Sequence, residues 1–164
     1  MDRDAAQWAA VEEATELLHE ERFREALEVL RDIIREDPEN AYAFFFLGQG
    51  FYEVGELAPS RDAYRAALRL APLHLGARVA LTHVLRKLGE TRDAVAEGLR
   101  AVEQAPTDGE ALYALGLAYL ARGDTIPARR HLEAFLRSKP ELETRMEVEG
   151  LLMSMDGGPG RSEN

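Results

Sequence analysis

Residues 41–74 read AYAFFFLGQGFYEVGELAPSRDAYRAALRLAPLH, and this stretch decides the fold. Phe44, Leu47, Gly48 and Phe51 stand at i, i+3, i+4 and i+7, the stripe that one face of an α-helix presents to a partner. Gly55 ends that helix, because glycine tolerates the left-handed conformation a helix stop commonly needs. Pro59 falls near the start of a second helix, where its missing N–H matters little. Ser60, Tyr64 and Ala67 line that second helix, with small residues where two axes come close, and Pro72 keeps it from continuing. The unit is a helix-turn-helix hairpin whose apolar face needs a neighbour.

Working outward, the same spacing recurs. Pro38, Pro72, Pro106 and Pro140 follow one another at steps of 34 residues. Gly55, Gly89 and Gly123 keep that step, as do Leu47, Leu81 and Leu115. Two further columns are Ala26, Ser60, Ala94, Ala128 and Leu17, Phe51, Leu85, Tyr119. A fixed period of this length is the signature of a stacked repeat array, in which neighbouring hairpins bury one another's faces.

On these residues the chain resembles the tetratricopeptide repeat family. The family pattern, Trp-x2-Leu-Gly-x2-Tyr, Ala-x3-Phe, Pro, reads here as Phe44-x2-Leu47-Gly48-x2-Phe51, Ser60-x3-Tyr64, Pro72. The fourth copy reads Leu112-x2-Leu115-Gly116-x2-Tyr119, Ala128-x3-Leu132, Pro140. The third carries Arg78, Thr82 and Gly98 where large, glycine and aromatic residues are usual. Gly98 either makes room for a bulky neighbour or is drift. The first has Glu13 and Glu21 at the leucine and turn-glycine columns but keeps Leu17, Phe23, Ala26, Leu30 and Pro38. The resemblance implies an all-α fold, a right-handed superhelical solenoid of about four hairpins with repeats at 7–40, 41–74, 75–108 and 109–142. An N-terminal arm is expected at 1–6, a capping helix at 143–155 with Val148, Leu151, Leu152 and Met155 as its stripe, and a disordered tail at 156–164.

Composition narrows the classes. The 164 residues contain no cysteine, which removes disulfides, zinc-thiolate sites and cysteine nucleophiles. The net charge of −10 argues against nucleic acid, which demands a basic stripe. The charge is concentrated at the ends: residues 1–40 are −8, residues 41–142 are +1 and residues 143–164 are −3. No apolar run approaches the roughly 20 residues that span a bilayer, and the first residues lack a signal-peptide pattern, so a cytoplasmic protein is expected.

Nothing in the pattern asks for catalysis. His19, His74, His83 and His131 form no i, i+3 or i, i+4 pair, so no helical metal clip exists. The glycines sit at repeat turns and not in a strand–loop–helix cradle, and no Gly-x-Ser-x-Gly elbow occurs. Neither an enzyme nor a cofactor is expected.

In the family, the first helices of successive repeats line a concave groove, with the second, fifth, ninth and twelfth places of each repeat facing it. Carried over, the resemblance implies Trp8, Val11, Thr15 and Leu18 in the first repeat and Tyr42, Phe45, Gln49 and Tyr52 in the second. The third offers Gly76, Val79, His83 and Arg86, the fourth Glu110, Tyr113, Leu117 and Leu120. One branch of the family clamps a terminal carboxylate with Lys or Arg at the fifth place and Asn at the ninth. Val11, Phe45, Val79 and Tyr113 hold the fifth places here, so that branch is not expected. The partner-binding candidates are Tyr42, Phe45, Gln49, Tyr52, Val79, His83, Arg86, Tyr113 and Leu117. Six of the 12 aromatics lie within residues 42–52, which makes this helix apolar nearly all round. Such a helix is either buried on every side or binds something.

The expected role is a protein-interaction adaptor that holds an apolar or aromatic-anchored segment of another protein, with no nucleic acid and no membrane insertion. Two alternatives are a secretion chaperone, similar in size and character to those of bacterial injection systems, and a structural homodimer joined through Leu152, Met153 and Met155.

Overall fold

The structure is a computed structural model and describes residues 2–157. Among them are ten helices and no strand: α1 Arg3–Ala10, α2 Glu12–His19, α3 Phe23–Glu36, α4 Ala41–Glu53, α5 Leu57–Leu70, α6 Leu75–Lys87, α7 Thr91–Gln104, α8 Gly109–Arg122, α9 Thr125–Arg137 and α10 Leu142–Asp156. Helices α4–α5, α6–α7 and α8–α9 form the tightest hairpins, and each second helix also packs on the first helix of the next repeat. The result is a stack of antiparallel hairpins, the solenoid that the period of 34 implies.

Three devices repeat with the period. Asn40, His74 and Asp108 are the N-caps of α4, α6 and α8, and each accepts a backbone N–H three residues on, from Ala43, Ala77 and Ala111 at 3.2, 3.0 and 2.9 Å. Gly55, Gly89 and Gly123 leave the first helices with φ of +80°, +78° and +90°. In the first repeat Glu21 holds the same column and takes φ +60°. Small residues then let the hairpin axes approach: a Cβ on Gly48 would lie 2.8 Å from the Tyr64 ring, and one on Gly116 would lie 2.7 Å from Leu132. Buried Ser60 donates to the Gly48 carbonyl at 2.7 Å.

The atypical third repeat has its own packing logic. Gly98 stands where Tyr64 and Leu132 stand in the flanking repeats, and a Cβ there would come within 3.2 Å of the Leu115 backbone. The small residue makes room for α8. Arg78, in the column of Phe44 and Leu112, turns its guanidinium to Glu97 at 2.6 Å and donates to the Pro72 carbonyl at 2.8 Å. A charged pair between α6 and α7 thus replaces an apolar contact.

The ends depart most from the repeat. Residues 3–6, read from sequence as part of an arm, are the first turn of α1, started by Asp2 accepting from the Ala5 N–H at 2.8 Å. The leading helix of the first repeat is broken at Val11, giving α1 and α2. The expectation that Val11 faces a groove is corrected: it is fully buried, packed with Ala14 against Leu27 and Leu30, while Leu18 packs with Leu17 and Ala26 at the edge of a small depression. At the other end α10 buries Val148 completely against Leu112, Leu132 and Phe135. Asp156 closes α10 and Gly157 follows it in a turn, and the rest of the expected tail, residues 158–164, lies outside the described residues.

Candidate functional site: the concave cleft

The first helices α4, α6 and α8, with α10 beyond them, present one face of the stack. α6 and α8 touch directly, through Val79 on one side and Ala111 and Ala114 on the other, residues small enough to bring the axes together. Between α6, α8 and the start of α10 lies a cleft of about 1140 Å³. Phe45, Val79, Ala80, Tyr113 and Phe135 give it an apolar floor; Asp108, Glu110, Glu141 and Thr144 stand along it.

Four of the nine sequence candidates meet in this cleft: Phe45, Val79, His83 and Tyr113. Their rings fall into two separate groups, one around Tyr113 and one around Phe45. Tyr113 packs on Phe135 at 5.0 Å and on His83 at 5.8 Å between ring centroids, and its hydroxyl donates to Glu147 Oε1 at 3.2 Å. Phe45 lies 4.6 Å from the His74 ring, 5.1 Å from Phe46 and 5.8 Å from Tyr64. The His83 imidazole is pushed down to about 4, first by burial and then by the positive charge of Arg86 and Lys87, so the cleft holds a neutral ring at neutral pH.

The other five candidates are elsewhere. Tyr42 is covered from the N-terminal side: Trp8 stacks edge-on at 5.3 Å and the Tyr42 hydroxyl donates to Asp4 Oδ1 at 2.7 Å. Gln49 lines a separate, smaller depression of about 320 Å³ with Thr15, Leu18, His19 and Phe46. Tyr52 packs on the core built around Leu81, Val84 and Leu85 and meets the Lys87 ammonium, which lies 4.8 Å from its ring centroid. Arg86 is not among the residues lining the cleft; it has one contact of 3.4 Å to His83 and a buried Nε that, among the described residues, has no partner. Leu117 is half-buried beside the contacts of Val148 and Leu152.

The all-round apolar character of α4 therefore has mostly an internal cause. Phe44 and Phe51 enter the core, Phe46 and Tyr42 receive Trp8, and Phe45 fills the step between α5 and α6. Sequence reasoning also missed the contribution of α10. One more step of 34 from the Tyr42, Gly76 and Glu110 column leads to Thr144, and the step from Tyr113 leads to Glu147. Those are the α10 residues that line the cleft and bond Tyr113, so the period itself carried the signal. Among the described residues no three His, Asp or Glu side chains converge as metal ligands, and no helix is long and apolar enough to cross a membrane.

The geometry has counterparts among known proteins. A sequence model described as tetratricopeptide repeat matches residues 11–74 and 79–143. No protein of curated function matches the sequence. Among solved structures, PilF of Pseudomonas aeruginosa superposes with a TM-score of 0.81 at 22% identity, over 94% of this chain and 71% of that one. YrrB, a TPR protein with an unusual peptide-binding site, gives 0.76 at 19% identity over 90% and 75% of the two chains. The first TPR of Spaghetti (RPAP3), bound to the HSP90 peptide SRMEEVD, gives 0.67 at 16% identity over 71% and 93%. At these identities the likeness is one of fold.

Proposed function

The chain belongs to the tetratricopeptide repeat family, in general a non-catalytic protein-interaction module, and from that premise we propose that it is a cytoplasmic adaptor. In this reading the cleft between α6, α8 and α10 holds a segment of a partner protein by its apolar or aromatic side chains. The observation that carries the reading is the cleft itself: about 1140 Å³ of concave surface floored by Phe45, Val79, Ala80, Tyr113 and Phe135. Ligand sites are commonly concave, largely apolar and preformed, and rigid aromatic anchors supply most of the energy where peptides bind. That YrrB and the RPAP3 domain are peptide binders supports the reading for this chain.

The test should block the cleft without disturbing the core. Phe45→Asp is unsuitable, because Phe45 packs on Tyr64 and His74. Ala80→Tyr, on the floor above the core, and Thr144→Tyr, on α10, instead place a neutral bulky group at two separate points of the lining. A protein captured from native lysate by the wild type and lost from both variants, with melting curves unchanged, is the expected result. Equal capture by all three sinks the cleft as the binding site.

A second reading, self-association, is favoured by one observation. Leu142, Met146 and Met153 are 60%, 62% and 73% exposed and lie along one side of α10. Of the seam expected from sequence only Met153 is exposed, while Leu152 and Met155 are half-buried. Light scattering that reports a monomer at millimolar concentration disposes of this alternative.

A further inference from the structure

The charge around the cleft points to the chemistry of its occupant. No Lys or Arg is among its lining residues, whereas Asp108, Glu110 and Glu141 are. Asp108 is committed to capping α8. Glu110 and Glu141 are exposed and, among the described residues, enter no ion pair, although carboxylates on neighbouring helices do: Glu90 with Arg61 at 2.5 Å, Glu97 with Arg78 at 2.6 Å and Glu149 with Arg145 at 3.9 Å. Glu110 lies in the first turn of α8 and Glu141 is the N-cap residue of α10, so both stand at the positive end of a helix. The one basic ring in the cleft, His83, is neutral at neutral pH because it is buried. The negative field along the apolar floor is therefore unopposed within the cleft.

We propose that the segment held there carries a lysine or arginine next to its apolar anchor, with the anchor on Val79, Ala80 and Tyr113 and the cation between the carboxylates of Glu110 and Glu141. This rests on the cleft being the peptide site. An acidic segment would bring like charges together as it gave up water, a combination that costs more than it returns. A cationic one gains two charge-assisted contacts. The polar pair sets specificity and on-rate, while the apolar floor supplies affinity.

The experiment is a selection of random dodecapeptides displayed on phage against the full chain at low salt, followed by titration of the selected peptides, made synthetically, into four proteins. These are the wild type, Glu110→Gln/Glu141→Gln, Ala80→Tyr and Thr144→Tyr. Both glutamates are exposed and, among the described residues, enter no ion pair, so the double variant retains its fold. The expected peptides are enriched in Lys or Arg beside an aromatic or branched aliphatic residue. They bind the double Gln variant about threefold to tenfold more weakly at low salt, converge on the wild-type value in high salt, and are lost from the two tyrosine variants. Peptides that are lost from the tyrosine variants but are acidic or uncharged, or that bind the double Gln variant as tightly as wild type, overturn the charge assignment and leave the cleft reading standing. Peptides that bind the tyrosine variants at full strength, or a selection that yields no cleft-dependent binder, overturn both.

Discussion

Glu21 occupies the place that Gly55, Gly89 and Gly123 hold in the later repeats, and it adopts the same left-handed backbone, with φ +60°. A side chain with a Cβ is strained there by about 1 kcal/mol, so Glu21→Gly should raise stability by up to roughly 0.5 kcal/mol in urea unfolding, after the extra freedom of the unfolded glycine is subtracted. A second prediction concerns protons. The folded value of His83, about 4, lies below the ordinary 6.5, so the unfolded chain binds the proton first as pH falls. His83 thus contributes stability that is present above pH 6.5 and lost progressively toward pH 4. Burial also lowers His74, whose Nδ1 must stay unprotonated to accept the Ala77 N–H, and it acts with the same sign. His83→Gln should therefore flatten the fall of melting temperature between pH 6.5 and 4, measured against wild type in the same buffers.

At the scale of elements, α1 and α7 show how the repeat pattern bends to its neighbours. α1 buries none of its residues and is held by polar ties: the Asn40 side-chain amide donates to the Gln7 carbonyl at 3.0 Å, Gln7 donates to Asp37 Oδ2 at 3.0 Å, and Arg3 pairs with Glu39. Asn40 is fully buried and serves two helices at once, capping α4 and anchoring α1. Asn40→Ala should cost about 2 kcal/mol of global stability. It should also shift the emission of Trp8, the single tryptophan, to longer wavelength in the folded state as α1 loosens from Tyr42. Gly98 in α7 gives the opposite case, a place where the column residue no longer fits. Gly98→Leu restores the usual large side chain but drives it into Leu115 of α8, and overpacking of that kind costs about 1–3 kcal/mol, readable as a lower urea midpoint.

For the molecule as a whole, each hairpin is finished by the next, and α10 finishes the last. Ending the chain at Pro140 would expose Leu112, Leu132 and Phe135, now covered by Val148, and should lower stability by about 2–3 kcal/mol with new binding of a hydrophobic dye. The same dependence explains what could be read in advance. The all-α repeat architecture was legible in the prolines, turn glycines and stripes at steps of 34, because hairpin geometry and helix stops are local properties of the backbone. The break at Val11 was not legible, because no glycine or proline marks it in the sequence. The aromatic cluster on α4 was legible as apolar on all sides, but which rings are covered depended on where Trp8, Tyr64 and His74 arrived from other helices. What the sequence determined by itself was the repeat and its hairpin architecture, since both follow from residue type at fixed spacing. Only the tertiary structure decided which candidates share the cleft, because Phe45, Val79, His83 and Tyr113 lie on three helices up to 68 residues apart. Their meeting, beside Glu110 and Glu141, is set by the close approach of α6 and α8 and by the start of α10 that borders the same cleft, a long-range property that no local pattern encodes.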